Sequence, residues 1–260
     1  HSNDHLVIMS INKKRCRISL TLRQCLVIVL LLICVSVEAR MQVYPTKIHV
    51  AAEQNSGGLT LVNTSNKSIY AQVRVFEWKQ QDGEDQLVST RSIIASPPML
   101  KLDPEVQQLV RIVRNGEPPS STESSYRIIV DEVPVETDTA GNTQSTLQFR
   151  LRYSIPVFLA PPKQIPVQPV LNTQLVESSG TRFVRISNEG NGHALITDLT
   201  WSQSDEPISI AAGLAGYVLP EQQQQWQLPD NIDLVKGGEF MARINGELVE
   251  RILISIAATD

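Results

Sequence analysis

Past residue 34 the chain has no cysteine. The three it carries, Cys16, Cys25 and Cys34, all precede residue 40. Everything after them must therefore be held by hydrophobic cores alone, with no disulfide, thiol nucleophile or thiolate metal site. Histidine is nearly as scarce. Beyond residue 39 only His49 and His193 remain, far apart and without a carboxylate or histidine at a recognised ligand spacing, so surface or structural roles are favoured over a metal site. No Gly-x-Ser-x-Gly elbow occurs. Gly190-Asn191-Gly192 runs on to Leu195 where a phosphate-cradling loop needs a third glycine, which leaves a hairpin turn as the plain reading. Asp131 and Glu132 are adjacent, but neighbours on a strand point to opposite faces and cannot work as a pair. Neither an enzyme's constellation nor a cofactor site is assembled.

Positive charge is also in short supply. Of 23 basic and 27 acidic residues, five and two fall within 1–39, which leaves 18 against 25 in the body of the chain. A body near −7 excludes the electrostatic footprint of a nucleic-acid partner. With 5% aromatic, 19% charged and 42% hydrophobic residues, the composition is that of a globular protein.

Long apolar runs are missing too. The longest, CLVIVLLLICVSV at 25–37, follows the basic stretch 13–23. Thirteen residues are too few to span a bilayer of roughly 30 Å comfortably. With Val37 and Ala39 in signal-peptidase positions, residues 1–39 read as an export signal cleaved after Ala39, and Met9 is a candidate start. The other reading of the same run is an uncleaved anchor. Export with cleavage implies no stable membrane insertion of what remains.

What is present is a succession of short strands. The segment 43–50 opens it; 59–63, 69–78, 87–94, 106–113, 126–133 and 147–158 follow, separated by Asn63-Thr64-Ser65-Asn66, Ser96-Pro97-Pro98, Leu102-Asp103-Pro104 and the polar loop 136–145. About seven short strands in about 120 residues, with no helix-period stretch, predict an immunoglobulin-like sandwich. Leu159-Ala160-Pro161-Pro162-Lys163 reads as a stiff linker, after which strands resume at 181–187, 194–201, 208–210, 216–219, 225–228, 239–244 and 249–256. A faint echo links Leu61-Val62-Asn63-Thr64-Ser65, with Trp78 after it, to Arg185-Ile186-Ser187-Asn188-Glu189, with Trp201 after it. The expectation is an all-β chain of two immunoglobulin-like domains, 40–160 and 161–260.

One strand stands out. From Leu147 to Ile155 apolar and polar residues alternate without a break: Leu147, Phe149, Leu151, Tyr153 and Ile155 on one face, Gln148, Arg150, Arg152 and Ser154 on the other. An ordinary half-buried sandwich strand gives this pattern. Pro156 then removes a ladder donor, which suits a sheet edge. A long apolar edge strand is a hazard unless it exists to pair with something.

Several of these segments together resemble the periplasmic chaperones that assemble pili (fimbriae) in the chaperone–usher pathway. They are Thr46-Lys47, Asn63-Thr64-Ser65-Asn66-Lys67, Ser96-Pro97-Pro98 with Leu102-Asp103-Pro104, Val110-Arg111-Ile112, Asp131-Glu132-Val133-Pro134 and the alternating strand ending Pro156-Val157-Phe158. Ile186-Ser187-Asn188 and Val218-Leu219-Pro220 match more loosely. The form of residues 153–158 is similar to the divergent fimbrial and spore-coat-type branch.

The resemblance implies two sandwiches joined at an angle around a cleft. It implies a pilus subunit as partner, lacking its last strand, and an outer-membrane usher as recipient. It also implies an edge strand, here Leu147, Phe149, Leu151, Tyr153 and Ile155, lent to the subunit without any cofactor. In the family two basic residues in the cleft hold the subunit's terminal carboxylate. Lys47 matches the first in charge, the second aligns with the uncharged Pro156, and Arg127 is the candidate replacement. Two rivals remain: an exported pilus subunit or adhesin, and an exported all-β enzyme.

Overall fold

The computed structural model describes residues 40–133, 151–203 and 206–258, and every regular element among them is a strand. The leader 1–39, and with it the expected cleavage site, lies outside the described residues, as do Leu147 and Phe149.

The first sandwich is built from β1 (Met41–Tyr44), β2 (Ile48–Val50), β3 (Ser56–Asn63), β4 (Ile69–Gln81), β5 (Glu84–Ser89), β6 (Ile93–Ser96), β7 (Met99–Leu102), β8 (Gln107–Arg114), β9 (Ser124–Val133) and β10 (Arg152–Leu159). One sheet runs β1-β3-β8-β6 and the other β2-β10-β9-β4-β5, with β7 also against β4. Period-2 alternation aims one set of side chains from each sheet at the other. Leu59, Leu61, Val110 and Ile112 thus meet Ala71, Val73, Ile128, Val130 and Val157 in a single buried core. Each large side chain removed from water contributes roughly 1.5–3 kcal/mol, the driving force a chain without disulfides depends on.

Two expected strands prove to be two elements each. The segment 43–50 begins in the first sheet, paired with β3, and ends in the second, paired with β10. Pro45 lies between them and cannot donate to a ladder. The segment 87–94 divides at Ser92, whose N–H bonds the Thr90 hydroxyl at 3.1 Å, so that β5 edges one sheet and β6 the other.

The second sandwich contains β11 (Leu171–Ser178), β12 (Thr181–Asn188), β13 (Ala194–Ser202), β14 (Ile208–Val218), β15 (Gln223–Gln227), β16 (Gly238–Ile244) and β17 (Arg251–Ile256). Its sheets are β11-β12-β15 and β14-β13-β16-β17. Val184, Ile186, Ile196, Leu199, Trp201 and Phe240 fill its core, where the Trp201 and Phe240 rings lie 4.6 Å apart. The expected pieces 208–210 and 216–219 belong to one strand, β14, interrupted by register shifts. β11 was not anticipated, because its one fully inward position is the polar Thr173 and no apolar alternation announces it.

The faint internal echo has a physical basis in its asparagines. Asn63 is fully buried and donates through Nδ2 to the Lys67 and Leu102 carbonyls at 2.8 and 3.0 Å, while its Oδ1 accepts the Ser65 N–H at 2.9 Å. Asn188 repeats the pattern: Nδ2 to the Gly192 and Val218 carbonyls at 2.7 and 3.1 Å, Oδ1 from the Gly190 N–H at 2.9 Å. In each sandwich one buried amide closes the turn after a strand and ties it to another strand end.

Candidate functional site: an open strand edge and the seam beside it

Among the described residues, β10 is paired along its whole length on one side only. It runs antiparallel to β9 from Arg152↔Asp131 to Leu159↔Ser124, whereas β2 reaches only Val157, Phe158 and Leu159. The Glu132 N–H donates to the Leu151 carbonyl at 3.1 Å, which makes that pair hydrogen-bonded. By the alternation of an antiparallel ladder, Tyr153, Ile155 and Val157 then bond β9, and Arg152, Ser154, Pro156 and Phe158 turn their backbone groups the other way. The Ala160 N–H, donating to the Val50 carbonyl at 2.9 Å, has that phase. Upstream of β2, the edge at 152–155 therefore presents the N–H and C=O of Arg152 and Ser154, while the C=O of the buried Pro156 turns to β2 in the Val157↔Ile48 pairing. Proline sits where its missing donor costs β9 nothing.

The inward face of β10 belongs to the chain's own core. Ile155 is 4% exposed within it, and Leu151 and Tyr153 pack against it as partly buried side chains. The Tyr153 hydroxyl donates to the Met41 carbonyl across the sandwich, and burial pushes its pKa up. These three side chains line the rim of the core just where the strand edge is open.

The outer face of the same sheet carries the charges. Asp131 holds Arg152 at 2.5 Å and Arg74 at 2.6 Å. Burial pushes the Asp131 carboxyl up, but the hydrogen bonds from Arg152 and Arg74 outweigh it and leave the group below its usual value. Opposite Pro156 stands Arg127, and Lys47, exposed, lies one residue before the Ile48↔Val157 pair. Lys47, Pro156 and Arg127 thus share one row, with the outer two about two strand spacings, or about 10 Å, apart at the backbone.

Arg127 is not a free base. Its guanidinium lies 3.6 Å from the Trp78 ring centroid and 5.7 Å from that of Tyr217, with Asp85 at 3.7 Å. Burial lowers its pKa, opposed by Asp85 and Tyr217.

Arg127 is one member of the seam between the sandwiches. Trp78, Phe158, Tyr217 and Leu219 form a third buried cluster, with Trp78 6.2 Å from Phe158 and 5.4 Å from Tyr217. The His193 ring stacks on Phe158 at 3.7 Å and 4°. Its Nδ1 lies 2.6 Å from Oε1 of the buried Glu123, which also accepts the His193 N–H at 3.2 Å. Gln80 reaches across with Nε2 donating to the Tyr217 carbonyl at 2.8 Å and Oε1 accepting the Leu219 N–H at 3.0 Å. The expected structural role for His193 is met in this seam. Gln80, Glu123 and Tyr217 were missed outright, because their partners are distant in sequence. Phe158 did leave a signal: it falls in the polar phase of the alternating strand, where a large aromatic is out of place unless that face is covered.

Residues 40–165 match the family described as pili and flagellar-assembly chaperone, PapD N-terminal domain. Through this stretch the chain is similar to the pilus-assembly chaperones. No curated protein matches it by sequence. Among solved structures, a chain of the CsuC–CsuE chaperone–tip adhesion subunit pre-assembly complex from the archaic chaperone–usher Csu pili of Acinetobacter baumannii is similar at 23% identity and a TM-score of 0.67, covering 85% of this chain and all of that one. A chain of the Salmonella enterica complex of SafA pilin with the SafB chaperone is similar at 20% and 0.57, over 82% and 94%. The Escherichia coli chaperone DraB is similar at 17% and 0.55, over 82% and 94%. The shared fold is the two-sandwich arrangement of these chaperones.

Proposed function

We propose that this chain is a periplasmic chaperone that caps pilus subunits by lending them the open edge of β10 and then delivers them to an outer-membrane usher. The observation that carries the reading is the stretch 152–155 of β10, which among the described residues is paired with β9 on one side and with no strand on the other. A subunit lacking its last strand would gain backbone hydrogen bonds from Arg152 and Ser154. Its groove would meet an apolar rim made by Leu151 and Tyr153, continued upstream by Leu147 and Phe149. Burying two or three such side chains, at roughly 1.5–3 kcal/mol each, supplies much of a strong complex. Ile155 serves the chain's own core. The leader, cleaved after Ala39, would bring the chain to the periplasm.

The phase of the ladder supplies a sharp test. Ser154→Pro removes a donor that faces the open edge and none that faces β9, as Pro156 already does two residues on. Co-expressed with its pilus subunit, the variant should fold but retain much less of it in periplasmic extracts. Wild-type levels of a one-to-one complex with Ser154→Pro would overturn the edge as the donor. The rival subunit reading is disfavoured because the matching family model is that of the chaperones.

A further inference from the structure

The open stretch of β10 carries a charge as well as free backbone groups. Level with it, the outward positions of β10, β9 and β4 form three rows: Arg152–Asp131–Gln72, Ser154–Ile129–Arg74 and Pro156–Arg127–Phe76. Three arginines stand there against one carboxylate, or two with Asp85, which Arg127 meets at 3.7 Å. The surplus is local, because the body of the chain is acidic.

Arg152 and Arg74 divide Asp131 between them. The Nε–H of Arg152 donates to Oδ1, and Nη2 of Arg74 donates to Oδ2. Among the described residues, Nε is the one nitrogen of the Arg152 side chain with a partner. Asp131 therefore orients the guanidinium while the terminal nitrogens of its donor fork remain unused, on a side chain 67% exposed. A strand added to this edge extends the same sheet, so its pleat runs in phase with that of β10. One of its outward side chains then lies beside Arg152, with Cβ atoms about 5 Å apart.

We propose that Arg152 is a specificity-determining contact of the lent edge: it takes the carboxylate of an aspartate or glutamate on the outward face of the subunit strand that pairs with 152–155. This rests on the chaperone reading above. A planar fork suits a carboxylate in two-bond geometry. Because Asp131 already orients the side chain, less freedom is lost when the contact forms. The same charge repels a second copy of this edge, so one side chain both admits an acidic strand and opposes pairing between two chaperones.

The test uses the full chain co-expressed with its pilus subunit, whose amino-terminal extension is removed so that it cannot polymerise. Dissociation of the purified one-to-one complex is followed by exchange into fluorescently labelled wild-type chaperone. Arg152→Gln, which removes the charge, should release the subunit about threefold to tenfold faster at low salt, and the difference should shrink as salt is raised. Arg152→Glu should release it faster still, and replacing the facing subunit acid with arginine should restore the lifetime of that complex. Loss of the tie to Asp131 alone would not be restored in this way. Equal release from wild type and Arg152→Gln would overturn the proposal and leave strand lending, tested by Ser154→Pro, standing. Faster release that no charge reversal on the pairing strand restores would show that Arg152 acts only by ordering β10, which also overturns it. A wild type that captures no subunit would sink the chaperone reading and this contact together.

Discussion

The Gln80 side chain is the point where the seam can be cut most cleanly. Its amide bridges the Tyr217 carbonyl and the Leu219 N–H at 2.8 and 3.0 Å, with Asp85 as a further acceptor at 3.0 Å. Gln80→Leu keeps the side chain apolar and similar in size but leaves two buried backbone groups unpaired, at about 1–3 kcal/mol each. A net loss of about 3 kcal/mol corresponds to roughly 6–12 °C for a chain of this size. Gln80→Glu asks a finer question. It retains an acceptor for Leu219 but sets carboxylate oxygen against the Tyr217 carbonyl and Asp85, so its pKa must rise on folding. A carboxyl whose folded pKa is raised destabilises above that pKa, and the penalty is relieved as pH falls through it and the proton restores a donor. Gln80→Glu should therefore be unstable at neutral pH and approach the wild type as the solution is acidified, in urea unfolding followed by tryptophan fluorescence. If either variant unfolds at the wild-type midpoint at neutral pH, the amide is not holding the seam and the reasoning fails.

Arg127→Ala strips the guanidinium from Trp78, a contact worth about 1–2 kcal/mol when desolvated, so a fall in melting temperature is expected alongside reduced subunit capture. If capture per folded molecule is unchanged, Arg127 only covers Trp78 and is no carboxylate anchor. Lys47→Ala, at an exposed position, should lower capture without touching stability, and unaltered capture would remove Lys47 from the site. Asp131, held below its usual value by Arg152 and Arg74, contributes stability that is fully present above the unfolded value near 3.8 and lost as pH falls through the folded one. Asp131→Asn should flatten the acid limb of the urea midpoint against pH, and an unchanged limb would refute that assignment.

The first sandwich was largely legible because its strands obey a period of two with turn residues between them. β10 shows where such legibility ends. Alternation divides its residues into two faces but cannot say which neighbour covers each. Leu151, Tyr153 and Ile155 read as one face offered to a partner; Ile155 is buried in the chain's own core, and Leu151 and Tyr153 pack partly buried at its rim, because a strand's apolar face serves whatever sheet lies opposite. Pro156 was a better guide, since a missing donor constrains hydrogen bonding whatever the packing. Arg127, the candidate for a compensating base, stands across from Pro156, and its side chain lies over Trp78, two positions beyond its own partner Phe76 on β4. Gln80 and Glu123 carry no local pattern at all. Their partners lie more than sixty residues away, and isolated polar residues on strands usually face water.

The open edge and the seam are parts of one device because they share a strand. From Ile155 onward β10 is buried on both faces, while Arg152 and Ser154 remain exposed. Phe158 locks its downstream end between Trp78, Tyr217 and His193. A strand free at both ends would have to be ordered by its partner, and that entropy, about 1–2 kcal/mol per residue, would be taken from the affinity. Fixing one end in a three-ring cluster and tying Arg152 to Asp131 removes much of that cost before a partner arrives. It also sets the edge in one orientation relative to the second sandwich. A weakened seam should therefore lower capture through the geometry and order of β10 even though no seam residue need touch the subunit. Gln80→Leu measured for capture at a temperature where it is fully folded separates this coupling from simple instability. Undiminished capture there would mean that the edge works independently of the seam.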